Sequence, residues 1–264
     1  MARKLASAIL AIAAIALVVC PAAFGQQTPA AQVKKAYQAL NEGYYVAEGA
    51  VRLEGGQVVD CDIEEMNTML FWGNCTQNKI TKEELAQLGD DNIFTAMFDF
   101  HGEKTPTKFA KYVQVGDIVF TAGTKPDGYI LYASPQTGNI LAYFDKSEAN
   151  MAWFFDQMRA GNYWLLRKVG TRYEKFDIAA FYKDVPGAPI AKGKSQNKKV
   201  RQHWDQWVPN IHKIEIFFKR NGFVPGEFSQ NKDGVWMVAD AVTGATITEF
   251  KEYAGVLYKA YNKK

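Results

Sequence analysis

The sequence predicts an α+β fold: an antiparallel sheet with helices packed on it and an amphipathic helix at the C-terminus. Val51, Leu53, Val59, Cys61 and Ile63 alternate with polar residues around Gly55-Gly56, the period-2 pattern of a β-hairpin. Between 111 and 144, short apolar runs are separated by Gly116-Asp117, Pro126-Asp127-Gly128 and residues 135–138. That is the turn chemistry of closely spaced antiparallel strands. Near the end, Phe250, Tyr253, Ala254, Leu257, Tyr258 and Tyr261 recur at helical spacing.

The N-terminal residues read as an export signal. Arg3 and Lys4 precede an apolar run over 5–19, and Ala23 and Gly25 supply the small-x-small pattern before a cut at Gln26. The run is shorter than the roughly 20 residues that span a bilayer, which favours a cleaved signal over 1–25. The alternative is an uncleaved membrane anchor extended through Phe24. Val19 stands before Cys20 where a lipoprotein signal would have a small residue. Residues 26–43 read as a linker and a short helix over 33–40, and 44–264 as the α+β domain.

Within that domain the elements follow from local chemistry. Thr81 and Glu84 have the spacing of a capping box opening a short helix that stops near Gly89. Strands are expected over 111–115, 118–122, 129–133 and 140–144. A helix over 147–159 would carry Met151, Phe154, Phe155 and Met158 on one face and end at Gly161. A strand over 163–166 follows. The Lys-, Gly-, Ser- and Asn-rich segment 187–199 reads as a solvated loop leading into a helix, the alternative being a cationic patch for a phosphate or an acidic partner. Pro209 suits the first turn of a helix running through Ile211, Ile214 and Phe218 to Gly222. A strand over 235–238 precedes the C-terminal helix.

Composition and missing motifs exclude several classes. The formal charge is +3, two units of which are Arg3 and Lys4 of the signal, so no nucleic-acid footprint is present. Of Cys20, Cys61 and Cys75, the last two remain after cleavage, and in an oxidising compartment they either pair or stay as isolated thiols. His101, His203 and His212 are the only histidines. They form no His-Glu-x-x-His, and no Cys-x-x-Cys, Gly-x-Ser-x-Gly, P-loop or Gly-x-Gly-x-x-Gly occurs, so no metal site is expected. The acid pairs Glu64-Glu65 and Asp90-Asp91 read as solvated loop or strand-edge charges.

The segment 240–248, Asp-Ala-Val-Thr-Gly-Ala-Thr-Ile-Thr, is a strand-to-helix turn with three threonines. On spacing alone it is a helix cap: Thr246 and Glu249 make a Thr-x-x-Glu box, and Gly244 permits the turn. The string Asp240-Ala241-Val242-Thr243-Gly244-Ala245-Thr246 also resembles the Asp-x-x-Ser/Thr-Gly-Ala-Thr signature of the FMN-binding domain family. That family includes the periplasmic FMN-carrying subunits of sodium-pumping NADH:quinone reductase and of Rnf electron-transport complexes. The resemblance is strong here and over the following helix, looser over 44–63 and 192–222, and places nothing over 81–167.

The resemblance implies that Thr246 carries FMN through a phosphoester installed by a periplasmic flavin transferase. It makes Asp240, Thr243, Gly244 and Ala245 the accompanying cofactor positions. A phosphate at a helix's first turn would face unpaired N–H groups and the positive end of the helix dipole. The function implied is an exported electron-transfer flavoprotein, periplasmic or extracellular, with an unidentified redox donor and acceptor. It would associate with the membrane only if the N-terminal segment is retained. The residues leave two other readings open: a module binding FMN or another phosphate ligand non-covalently, and a cell-envelope structural protein without a cofactor.

Overall fold

A computed structural model describes residues 30–40, 45–67, 80–87, 93–100, 103–128, 130–175, 207–239 and 241–264. The expected signal over 1–25, Cys75, Asp90-Asp91, His101, His203, the expected loop over 187–199 and Asp240 lie outside the described residues. The fold is α+β, and its sheets are antiparallel.

Strands β1 (Gln32–Leu40), β2 (Tyr45–Glu54) and β3 (Gln57–Asn67) form a meander in the order β1-β2-β3. The β2–β3 turn is Gly55-Gly56 with φ of 59° and 83°, the left-handed pair that a tight two-residue hairpin needs. The helix expected over 33–40 is instead β1, paired with β2 from Gln32↔Leu53 to Leu40↔Tyr45. Val33, Ala36, Tyr37 and Leu40 imitate a helical stripe, but pairing with β2 overrides local preference. As a strand, the segment puts Ala36 and Leu40 into one core and Tyr37 into the other.

The meander is the middle layer. One face, through Ala47, Val51, Cys61 and Ile63, packs under α4 (Trp207–Asn221) and α5 (Phe250–Tyr261). These helices bury Ile211, Ile214, Phe218, Phe250, Tyr253 and Leu257, each worth about 1.5–3 kcal/mol relative to exposure. Helix and sheet approach closely at Gly49, where an added Cβ would lie 2.9 Å from the Val256 backbone carbonyl. Among the described residues Cys61 is a free, buried thiol whose side chain turns from β3 into the core with Val51 and Ile63; Cys75 lies outside them.

The other face of the meander, through Tyr37, Val46 and Met66, joins the core of the β-rich middle. There β4 (Ile93–Phe100) pairs with β5 (Glu103–Ala110) as a two-stranded ribbon. Strands β6 (Tyr112–Val115), β7 (Ile118–Thr124), β8 (Ile130–Ser134), β9 (Gly138–Asn139), β10 (Tyr163–Val169) and β11 (Arg172–Lys175) form a sheet in the order β11-β10-β6-β7-β8-β9. The Thr81 capping box is present on α1 (Lys82–Ala86). The strand expected over 140–144 is helix α2 (Ile140–Lys146). The Asn139 side chain accepts from Leu141 N at 2.9 Å and Ala142 N at 3.1 Å. That cap and the i,i+4 pair of buried Ile140 and Phe144 outweigh the β-preference of the run. Helix α3 (Glu148–Ala160) carries the expected apolar face and ends at Gly161 in the left-handed conformation.

Side chains close both edges of the meander, which would otherwise offer unpaired backbone. On β1, Tyr37 N donates to Glu148 Oε1 at 2.9 Å, and Lys259 and Lys263 donate to the carbonyls of Tyr37 and Lys35, each at 2.9 Å. On β3, Ile63 N donates to buried Glu215 of α4 at 2.6 Å, and His212 lies 3.0 Å from the other carboxylate oxygen. Glu65 is not a solvated charge: it is 1% exposed and accepts from Tyr253 Oη, which in turn accepts from Trp207 Nε1 at 2.9 Å. Its position on β3 turns it under α5, where only a hydrogen-bonded carboxylate is tolerated.

Candidate functional site

The loop 243–249 joins a small antiparallel sheet to α5. That sheet comprises β12 (Phe228–Gln230), β13 (Trp236–Val238) and β14 (Ala241–Val242), with β13 in the middle. Trp236 holds the loop from one side. Thr243 donates to the Trp236 carbonyl through N at 2.9 Å and through Oγ1 at 2.7 Å. Trp236 N donates to Ala245 O at 2.8 Å, and its indole Nε1 to Ile247 O at 2.7 Å. The indole lies flat on Phe250, with centroids 5.2 Å apart and planes 10° apart. The turn is thus built on the first residue of α5.

From the other side α4 reaches the loop. Asn210, 1% exposed, accepts from Thr246 N at 2.6 Å and from Thr246 Oγ1 at 3.4 Å. The stem of Lys213 runs 3.7 Å from where a Cβ on Gly244 would lie. Gly244 has φ +79°, a conformation that a side chain would strain. Lys251 stands 5.5 Å from the centroid of the Trp236 ring. Neither Lys213 nor Lys251 has a carboxylate partner among the described residues.

The structure brings Thr243, Gly244, Ala245 and Thr246 into one turn and separates the roles of its hydroxyls. Thr243 is 8% exposed, and its hydroxyl both donates to Trp236 O and accepts from Ala245 N at 3.1 Å. Thr246 is exposed, and its only partner among the described residues is Asn210. Thr248 is exposed as well. Asp240, the first residue of the signature, lies outside the described residues.

The expected Thr246–Glu249 capping box does not form. Helix α5 starts at Phe250, Glu249 occupies its N-cap position, and no side-chain cap is made. The turn at 247–249 intervenes, with Phe250 N bonded to Ile247 O at 3.2 Å. Asn210 takes the Thr246 amide that a box would have used differently. Thr246 therefore sits about one turn before the helix, not within its first turn. Glu249 Oε2 is shielded from solvent and has no hydrogen-bond partner among the described residues.

Comparison of the chain with protein-family models, with curated proteins and with solved structures finds no match. The geometry of the loop itself therefore carries the functional argument. Asn210, Lys213 and Trp236 were not picked out by the sequence pattern. Trp236 lies in the strand ahead of the motif, but Asn210 is 36 positions from Thr246, with no local signal linking the two.

The rest of the described surface offers less. A concavity of about 480 Å³ is lined by Thr81, Lys125 and Pro126, and another of about 470 Å³ by Lys35, Glu48 and Arg159. Neither borders the loop. Among the described residues no cluster of His, Cys, Asp and Glu is placed to hold a metal ion, and no helix is long and apolar enough to cross a membrane.

Proposed function

We propose that the chain is an exported flavoprotein that carries FMN esterified to Thr246 and takes part in electron transfer outside the cytoplasm. The observation that carries this reading is the division of labour between two threonines. Thr243 spends its hydroxyl inside the turn. Thr246 presents its own to solvent from a backbone held on both sides. An enzyme modifying this loop would find one hydroxyl both reachable and fixed.

The surrounding residues fit a phosphate. Lys213 runs beside Gly244 and has no carboxylate partner among the described residues, and a phosphoester on this turn would be a charge-assisted acceptor for it. Gly244 leaves its side of the turn free of a side chain. Attachment forms a bond from Thr246 Oγ1 to the phosphorus of the FMN half of a flavin dinucleotide; the P–O bond to the nucleoside half breaks, a nucleoside monophosphate leaves, and the hydroxyl proton is lost to base. FMN, when bound, supplies the ability to accept and release electrons; the protein supplies position and charge. Asp240 belongs to this reading as part of the signature, and the periplasmic flavin transferase as the partner that installs the group.

The test is the intact mass of the mature protein made alongside an active flavin transferase, with flavin fluorescence read in a denaturing gel. The expected result is the mass of one FMN less one water, on a band that stays fluorescent. A yellow protein that loses its colour on denaturation would point to non-covalent binding of the same group. A colourless chain without the adduct would overturn the proposal.

A further inference from the structure

We infer that Asn210 is the positioning residue that presents the Thr246 hydroxyl for esterification, an inference that rests on the flavoprotein reading above. Asn210 lies near the start of α4, is 1% exposed, and turns its carbonyl oxygen to Thr246. That one oxygen accepts both donors of the same residue: the amide at 2.6 Å and the hydroxyl at 3.4 Å. A buried amide side chain is costly unless its polar atoms are met. The helix and the loop therefore specify one another.

The consequence for Thr246 is directional. With its proton toward Asn210 Oδ1, the hydroxyl oxygen aims its lone pairs away from α4 and toward solvent, where an electrophilic phosphorus would arrive. Asn210 orients the group but does not activate it, because a carboxamide oxygen takes no proton at neutral pH. Among the described residues no carboxylate or imidazole touches this hydroxyl. The contact with Asn210 contributes orientation. The same contact accounts for selection among the threonines of the turn. Thr243 is ordered but buried, Thr248 is exposed but makes no such contact among the described residues, and Thr246 combines exposure with a hydroxyl held by Asn210.

The experiment uses the full chain, made with and without a flavin transferase, as wild type, Asn210→Ala and Asn210→Asp. Two quantities are read: the fraction carrying covalent flavin at a fixed time, and hydrogen exchange at the Thr246 amide in the flavin-free protein. Misplacing a reacting group by about 1 Å can cost a factor of about 100. Asn210→Ala should accordingly lose about tenfold or more in modification, while its Thr246 amide exchanges about tenfold faster. Asn210→Asp keeps an acceptor at the same reach and should restore protection of the Thr246 amide to within about threefold of wild type, while its charge beside the incoming phosphate keeps modification below wild type. Protection at Tyr253 and Leu257 of α5 shows that the Ala variant is folded. Modification of Asn210→Ala at the wild-type rate overturns the inference, as does an unchanged Thr246 amide. A wild-type chain that takes no flavin overturns the flavoprotein reading itself. That failure is distinguishable, because it appears before any variant is compared.

Discussion

Arg159, in the last turn of α3, grips Glu48 on β2 through two bonds of 2.7 and 2.8 Å. Glu48 is 2% exposed and also accepts from Tyr37 Oη at 2.6 Å and from Lys35 at 3.2 Å. This is the polar joint between the meander and the β-rich middle. Burial pushes the Glu48 carboxyl up, but Arg159, Tyr37 and Lys35 outweigh it and hold the group below its ordinary range. Burial and the neighbouring carboxylate push the Tyr37 phenol upward.

Glu48→Gln should therefore destabilise the chain by about 3 kcal/mol. That is the low end for breaking a buried pair, because the Arg159 side chain is 37% exposed and remains partly hydrated. The sign of the pH dependence follows from the lowered carboxyl. The stabilisation is complete above the unfolded value of about 4.3 and is lost as pH falls through the lower folded value. Denaturant midpoints of wild type and Glu48→Gln should differ most near neutrality and converge in acid. A constant gap down to the acid limb would contradict this assignment.

Cys61 should resist alkylation in the folded chain. Burial, with smaller contributions from Asp60 and Glu215, pushes its thiol up to about 12, so almost no thiolate exists at pH 8. Labelling with iodoacetamide should leave Cys61 unmodified natively and modify it in urea without reductant. Protection that persists in urea and disappears with reductant would show that the thiol is bridged in the native protein.

Gly49→Ala tests the closest approach of sheet and helix. The new Cβ would lie 2.9 Å from both the carbonyl carbon and oxygen of Val256, and backbone cannot rotate away as a side chain can. Overpacking of this kind costs about 1–3 kcal/mol. Gly123→Ala on β7, where φ is likewise not positive and an added Cβ meets only Leu131 O at 3.4 Å, serves as the control for losing a strand glycine without the close approach. Equal loss of thermal stability in both variants would remove the packing argument.

The parts legible in the sequence are those whose signal is local. The β2–β3 hairpin shows itself through period 2 around two glycines, and α3 through Ser147, an apolar stripe and Gly161. The C-terminal helix is equally plain from Phe250, Tyr253 and Leu257. Misreadings occur where a distant partner decides. The segment 33–40 becomes a strand only because β2 lies beside it. Glu65 is buried only because Tyr253, 188 positions away, meets it. Thr246 leaves the cap role because Asn210, 36 positions away, claims its amide. The residues of the turn were readable; what holds them was not.

The two threonines of that turn should separate attachment from architecture. Thr246→Ala should abolish covalent flavin while changing stability by no more than about 0.5 kcal/mol. No cap is lost, and the backbone N–H that binds Asn210 remains. Thr243→Val keeps the attachment oxygen but removes a buried hydroxyl that donates to Trp236 O and accepts from Ala245 N. It should cost about 1–3 kcal/mol, since the Ala245 amide is left without that acceptor inside the protein. Any fall in flavin loading should be partial, following displacement of Thr246. Intact mass and thermal melts of the two variants, made with the flavin transferase, give the comparison. If Thr243→Val lost all flavin at wild-type stability and Thr246→Ala kept it, the attachment oxygen would have to be reassigned from Thr246 to Thr243.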